Sequence, residues 1–437
     1  MTRAVVLVDG EHYPPVTRQG IDATRSRGYD VVAAVFCGGG EKLSRELELD
    51  VPIVRDASVD EALRAAIEQY RPDVIVDLSD DPVVDHVTRM RLAARALSAG
   101  VVYDAPGVRL EPPPRPRLAR VPTIAVIGTG KRCGKTAVSA HLARTLAGAG
   151  WRPVIVAMGR GGPETPVIVR GDLERPTPQA LLALSQSGEH AASDVYEDAV
   201  VAGVPAVGAR RAGAGPAGAT AFDTVAEAVV LAETLDPDVI VLEGSGTAIP
   251  PVHADATILV ARDSDDLGSW PGVHRLLLAD LVVVRMAGGK VDPTKHSTLT
   301  SPNRDPATVV CVAVTLEPSL LGEVRGRSVY AATTAPVAAG ASLRHHLEQA
   351  HGARVIGISH RLADRSGLEE DLRAVAGRYD VLACELKAAA VDVAVRAATE
   401  SGAGIVFIDN RPRSREHDLE DEIMKVAHRA REQFDNR

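Results

Sequence analysis

The chain has 437 residues, 45% of them hydrophobic and 24% charged, with a formal net charge of −9. That length exceeds what one hydrophobic core organises, so two or three domains are expected, and no run reaches the ~18 apolar residues of a membrane span. The negative balance argues against nucleic acid and membrane surfaces as partners, since both need a broad basic field, and leaves open a small polyanionic substrate, for which a few local arginines suffice.

The first apolar run, Ala4–Val8, is cut short at Asp9, too soon for an export signal. Cys37, Cys133, Cys311 and Cys384 are scattered with no C-x-x-C pair, which suggests neither a disulfide framework nor a zinc cage and makes the cytoplasm the expected compartment. From Ala4 to Tyr103, short β-branched runs (Ala4–Val8, Val31–Phe36, Val74–Leu78, Val101–Tyr103) alternate with amphipathic stretches such as Val59–Tyr70, the pattern of a parallel α/β domain over residues 1–112. Five prolines between Glu111 and Pro122 predict an extended linker.

A second α/β unit, residues 121–292, is expected from the runs Thr123–Ile127, Val154–Ala157, Val239–Leu242, Thr257–Ala261 and Leu281–Val284. They lack polar alternation, as strands covered by helices on both faces do. After Asp292 a Thr/Ser/Pro-rich stretch precedes a third alternation at Arg354–Ile358, Val381–Cys384 and Ile405–Ile408, which predicts a smaller α/β region over residues 293–437. That region ends in a charged tail from Ser414, expected to be a solvated surface helix. The fold class is therefore α/β, multidomain, with parallel doubly wound sheets around a central domain.

The chemistry concentrates after Ile127. The segment GTGKRCGKT (Gly128, Thr129, Gly130, Lys131, Arg132, Cys133, Gly134, Lys135, Thr136) joins a predicted strand to a predicted helix over Lys135–Ala149. Glycines let backbone N–H groups turn inward on phosphate oxygens, and the helix N-terminus adds partial positive charge. Lys135 is placed to hold the β- and γ-phosphates of ATP, and Thr136 to ligate Mg²⁺. The strict spacing would put the first glycine at position 129, where this chain has Thr129, so the loop is a variant. It resembles the P-loop of dethiobiotin synthetases, a branch that also includes chromosome-partitioning ATPases. That resemblance implies a carboxylate at a neighbouring strand end, and VIVLEGSG supplies Glu243 as a second Mg²⁺ ligand. Lys131 is a candidate for charge developing on the γ-phosphate, or a solvent-facing lysine; Cys133 reads as a small loop residue.

Substrate candidates lie at other predicted strand ends, where open α/β sheets bind ligands. MGRGGPE offers Arg160 with Gly161 and Gly162, a guanidinium beside a backbone cradle. DGEHY offers Asp9, Glu11 and His12, and Gly38 and Gly39 follow the second strand. Asp80, Asp81, Arg89 and Arg91 are weaker, since surface helix charges explain the arginines equally well. In the third region, Glu385 and Lys387 of CELKAAAVDV and Thr333 or Thr334 of YAATTAP could serve a substrate or simply start helices.

Taken together, DGEHY, GTGKRCGKTAVSA, AMGRGGPE, LEGSG, YAATTAP and ELKAAAVDV resemble cyclic 2,3-diphosphoglycerate synthetase over nearly the full length. The resemblance implies use of ATP and Mg²⁺ to close a phosphoanhydride between the two phosphates of 2,3-diphosphoglycerate, with Lys131, Lys135 and Arg160 as catalytic groups. Another ligase or kinase of the same P-loop branch, acting on a different small acid, and a regulatory nucleotide switch are the alternatives. A homodimer is an open expectation.

Overall fold

Residues 1–43, 46–286, 309–388, 390–415 and 417–437 are described by the structure, a computed structural model. The first sheet contains β1 (Thr2–Val8), β2 (Tyr29–Phe36), β3 (Ile53–Val54), β4 (Val74–Asp77), β5 (Val102–Ala105) and β6 (Val108–Leu110), in the order β3-β2-β1-β4-β5-β6. Only β6 runs antiparallel to its neighbour. The strand order reverses between β1 and β4, so a crevice opens at their carboxyl ends. Local chemistry sets the helix starts. Ser58 accepts from the Glu61 amide at 3.2 Å ahead of the helix Val59–Tyr70, and Asp85 accepts from the Thr88 amide at 2.8 Å ahead of His86–Ser98.

The proline-rich segment carries no regular element and runs to the base of β7 (Thr123–Gly128), with the His253 amide donating to Pro116 O at 3.0 Å. Then follow β8 (Pro153–Gly159), β9 (Val167–Arg170), β10 (Pro205–Ala212), β11 (Phe222–Asp223), β12 (Val239–Glu243), β13 (Ala256–Arg262) and β14 (Leu281–Arg285). The strands β7, β8, β12 and β13 are buried nearly end to end on both faces. This accounts for their unbroken apolar sequences.

The strands of the third region continue this sheet. They are β15 (Val310–Leu320), β16 (Ser328–Ala332), β17 (Arg354–Ser359), β18 (Val381–Glu385) and β19 (Gly404–Arg413). Among the described residues the sheet has 13 strands, ordered β11-β10-β8-β12-β7-β13-β14-β15-β19-β18-β16-β17 with β9 on β10. The seam is β15: Val310–Val314 pair parallel with β14, and Thr315–Leu320 pair antiparallel with β19. The expected boundary at 292/293 and the Thr/Ser/Pro-rich stretch that prompted it lie outside the described residues.

The final helix, Leu419–Asp435, corrects the expectation of a solvated tail. Leu419, Ile423, Val426, Ala427 and Ala430 form one stripe, buried against the helix Lys135–Gly148 and the strands β7 and β13. The charged residues occupy its other face, where Arg429 pairs with Asp280 at 2.8 Å. Ile423→Ala should therefore lower the unfolding free energy by about 2–4 kcal/mol, read from chemical denaturation. A helix lying in solvent would lose only about 0.5 kcal/mol or less.

Candidate active site

The loop between β7 and the helix Lys135–Gly148 curls back over its own lysine. Lys135 Nζ donates to Gly130 O at 2.8 Å and to Gly246 O at 3.1 Å, and Cys133 Sγ lies 3.3 Å from Gly130 O. A Cβ on Gly128 would stand 2.6 Å from Cys133 Sγ and 2.9 Å from Lys135 Cδ. The lysine stem and the buried Cys133 thus fill the space a side chain would need, and Gly128 is required one position before the usual site. The loop is tied down from outside as well. Thr129 Oγ1 bonds Asp265, which also accepts from the Arg262 amide at 2.9 Å, while the buried Arg275 donates to Gly128 O at 3.1 Å.

Because β12 lies directly between β7 and β8, Glu243 stands level with Val126 on one side and Ala157 on the other. Thr136 donates to Glu243 Oε1 at 2.8 Å, while Glu243 Oε2 is buried with no hydrogen-bond donor among the described residues. Behind it lies a set of acids that the sequence reading missed. Asp194, Glu197 and Asp198, on the helix Asp194–Ala202, are spaced i, i+3, i+4 and therefore share one face. The signal was available as DVYED, but its helical face could be aimed at the P-loop only by tertiary structure.

Asp198 is fully buried, with neither oxygen receiving a donor among the described residues. Burial, reinforced by the neighbouring Glu243, pushes its carboxyl well up, and burial and then Asp194 raise Glu243. Two carboxylates cannot bond each other, so this pair becomes satisfied once one of them holds a proton. Burial also drives Glu197 up, against the pull of Lys387. The ammonium 3.1 Å away keeps that ion pair, and Lys387 is itself held above its ordinary value, burial being outweighed first by Glu197.

A hydroxyl and a carboxylate, both hard oxygen donors, with one carboxylate oxygen lacking a protein partner, suit Mg²⁺, which takes one or two protein ligands and fills the rest with water and phosphate. Among the described residues no group of three or more His, Cys, Asp or Glu side chains forms a ready-made metal cage.

The segment after β8 comes to the same edge. Gly162 is pressed against the next strand, since a Cβ there would lie 2.1 Å from Ala209 O, and Arg210 Nε donates to Gly162 O at 2.9 Å. Arg160 is exposed beside the exposed Lys131, whose ammonium is held below its ordinary value first by Arg160 and then by burial. Asp194 Oδ2 stands 3.2 Å from the Cβ position of Gly159, and Lys387, Lys135, Arg160 and His190 all act on its charge. Arg211, also missed from sequence, donates to Ser245 O at 2.7 Å and so fixes the turn after Glu243.

From the C-terminal strands, Glu385 is anchored rather than free at a helix start. Thr333 Oγ1 and Asn410 Nδ2 donate to one oxygen at 3.0 and 3.1 Å, and Thr334 donates to the other through N and Oγ1 at 3.1 and 2.7 Å.

The N-terminal candidates form a separate cluster at the carboxyl edge of the first sheet. Asp9 is buried and accepts from the Glu11 amide at 2.9 Å, from the Asp80 amide at 2.6 Å and, at 2.8 Å, contacts His12 Nδ1. The Gly10 amide donates to Gly38 O at 2.9 Å, which brings Gly38 and Gly39 onto DGEHY. The two arginines left open between a substrate role and helix surface charge are ion-paired, Arg89 to Asp77 and Arg91 to Asp60. Among the described residues no hydrogen bond or ion pair joins the Asp9 cluster to the P-loop.

Comparison with known proteins gives consecutive matches to three family domains. Residues 3–111 match "Cyclic 2,3-diphosphoglycerate synthetase, N-terminal domain", residues 123–301 the P-loop domain of that family, and residues 320–411 its C-terminal domain. Proteins named cyclic 2,3-diphosphoglycerate synthetase are similar throughout. The one from Rubrobacter xylanophilus is 42% identical over 94% of each chain, and that from Thermococcus gammatolerans 43% over 93% of each. The one from Methanothermus fervidus is 37% identical over 99% of this chain and 98% of its own. A crystal structure of a duf1611 family protein from Anabaena variabilis covers 91% of this chain and 99% of its own at 15% identity, with a TM-score of 0.18, too slight a likeness to inform the fold. With three domains in one order and this identity from end to end, the chain belongs to the cyclic 2,3-diphosphoglycerate synthetase family.

Proposed function

We propose that this protein is an ATP-dependent ligase that closes the phosphoanhydride between the two phosphates of 2,3-diphosphoglycerate, releasing ADP and phosphate. The observation that carries the reading is the Lys135–Thr136–Glu243 arrangement at a glycine loop, in a chain 42% identical over 94% of its length to a protein named for that synthesis.

In this reading the amides of Gly128 to Thr136 and Lys135 hold the terminal phosphates of ATP, and Thr136 and Glu243 hold Mg²⁺. The bound cation supplies neutralisation of the phosphoryl oxygens as negative charge shifts during transfer. One substrate phosphate takes the γ-phosphoryl. The other then attacks the phosphorus still joined to the carbon skeleton and expels orthophosphate, so the ring closes as the activating group leaves. Lys131 and Arg160 suit a polyanion because their mutual repulsion, only partly offset by Asp194, is relieved when negative charge lies between them. Their part, with Gly161 and Gly162, is to hold two like-charged phosphates close enough to react. Asp9, Glu11, His12, Gly38 and Gly39 are proposed as further substrate-binding groups on the N-terminal sheet, because a polar cluster there occupies the crevice at a strand-order reversal.

Incubation with ATP, Mg²⁺ and 2,3-diphosphoglycerate should give the phosphorus NMR signature of a cyclic anhydride in step with ADP release. Lys135→Ala should abolish both while leaving the circular dichroism spectrum unchanged; a cyclic product from that variant would contradict the assignment. Gly128→Ala, whose added carbon meets Cys133 and the Lys135 stem, should weaken ATP binding by about tenfold or more in calorimetry, the loss of about one charge-assisted contact. Unchanged affinity would remove the loop from the nucleotide site.

A further inference from the structure

We propose that Lys387, carried by the C-terminal strands, is a ligand of one substrate phosphate and that Glu197 holds it in position for that contact. The proposal rests on the 2,3-diphosphoglycerate reading above and adds a residue from another part of the chain to its acceptor side.

Placement is the first argument. Lys387 lies two residues beyond β18, at the carboxyl edge of the C-terminal strands, and its Nζ reaches Glu197 Oε1 at 3.1 Å on a helix of the P-loop part. It shares its surroundings with the nucleotide lysine and with Arg160, for all three act on the charge of Asp194. From Thr136 the route to Lys387 runs through Glu243 to the helix that carries Glu197 and Asp198. Lys387 thus stands beyond Glu243 from the P-loop threonine, held on the helix that carries Glu197 and Asp198.

The backbone supplies the second argument. Ala388 has φ of +50°, a left-handed conformation that costs a residue with a Cβ about 1 kcal/mol or more. The bend is fixed on both sides. The Lys387 amide donates to Glu385 O at 2.9 Å, the Ala390 amide donates to Lys387 O at 2.9 Å, and a buried π-helical turn, Ala390–Val395, follows at once. Glu385 has both oxygens engaged by Thr333, Thr334 and Asn410, so it anchors the strand end and leaves the ammonium to Glu197.

Exposure supplies the third. The Glu197 side chain is only 10% exposed and that of Lys387 is 37% exposed, so part of the lysine side chain faces solvent although burial still weighs against its charge. A lysine pinned by one carboxylate can pass a hydrogen bond to a dianionic phosphate, with its rotamers already restricted.

The test measures 2,3-diphosphoglycerate binding by calorimetry in the presence of ADP and Mg²⁺, ADP binding alone, and steady-state kinetics, on the full chain. Lys387→Met should weaken 2,3-diphosphoglycerate by about tenfold or more and raise its KM, leaving ADP affinity within about twofold. Glu197→Gln, which keeps the lysine but loosens its anchor, should weaken 2,3-diphosphoglycerate binding by less than Lys387→Met does, with ADP affinity again within about twofold. Equal substrate affinity in Lys387→Met and wild type, a parallel loss of ADP binding, or a loss in Glu197→Gln as large as in Lys387→Met would each overturn the proposal in favour of a structural ion pair. If Lys387→Met does not fold, Glu197→Gln decides alone, and unchanged 2,3-diphosphoglycerate affinity in it would overturn the proposal. Failure of the wild-type protein to bind 2,3-diphosphoglycerate would overturn the functional reading and this inference together, whereas wild-type binding with an indifferent Lys387→Met would overturn this inference only.

Discussion

Parallel pairing of β8, β12 and β7 is the constraint on which the site depends. Parallel strands in register end at the same level, so Glu243, paired with Val126 and Ala157, falls two residues before both Gly128 and Gly159. The P-loop, the Glu243 turn and the Arg160 segment therefore leave the sheet side by side, and the Thr136–Glu243 hydrogen bond is the short link between two of them. A slip of one residue in β12 would turn Glu243 to the opposite face of the sheet.

What that register assembles is electrostatically expensive. Burying Asp198 and Glu243 together costs several kcal/mol unless the charge is removed or compensated. Partial relief comes from the start of the helix Asp194–Ala202, where acidic groups meet unpaired amides, and from Lys387 on Glu197. Glu243 Oε2 and both Asp198 oxygens remain without a donor among the described residues. A hydrophobic core would be more stable there. Polar groups kept at the mouth of a P-loop at such a cost are what a functional site, rather than a core, retains.

Legibility in sequence followed the range of the determining interactions. The P-loop and its flanking strand and helix were readable because a tight turn, a close backbone approach and a helix start are set within nine residues. Glu243 was readable because it ends an apolar run, and a strand end is a local event. Asp194, Glu197 and Asp198 were not readable: three acids on one helix face look like a solvated surface until the packing of that helix against β8 and β10 turns the face inward. The tail helix failed for the opposite reason. Its abundant charges mask an apolar stripe of only five buried residues, two of them alanines. β15 escaped because it is two strands in one, parallel to β14 and then antiparallel to β19, with Pro318 in the second half, so neither strand pattern persists.

That same strand decides how firmly the two outer parts of the molecule are held to the P-loop. The C-terminal strands are attached through β15 by backbone hydrogen bonds on both of its edges, and the apolar cluster joining Leu181 and Leu182 to Val391 and Val393 closes the contact from one face. The first sheet is attached differently, through a proline-rich segment and the packing of Ala94 on Val273 and Leu277. Backbone pairing fixes register residue by residue, whereas a small apolar patch fixes only approximate distance. The separation of Lys387 from Lys135 is therefore a property of the sheet itself. The position of Asp9 and His12 relative to the P-loop depends on side-chain packing between two helices, the more yielding of the two attachments.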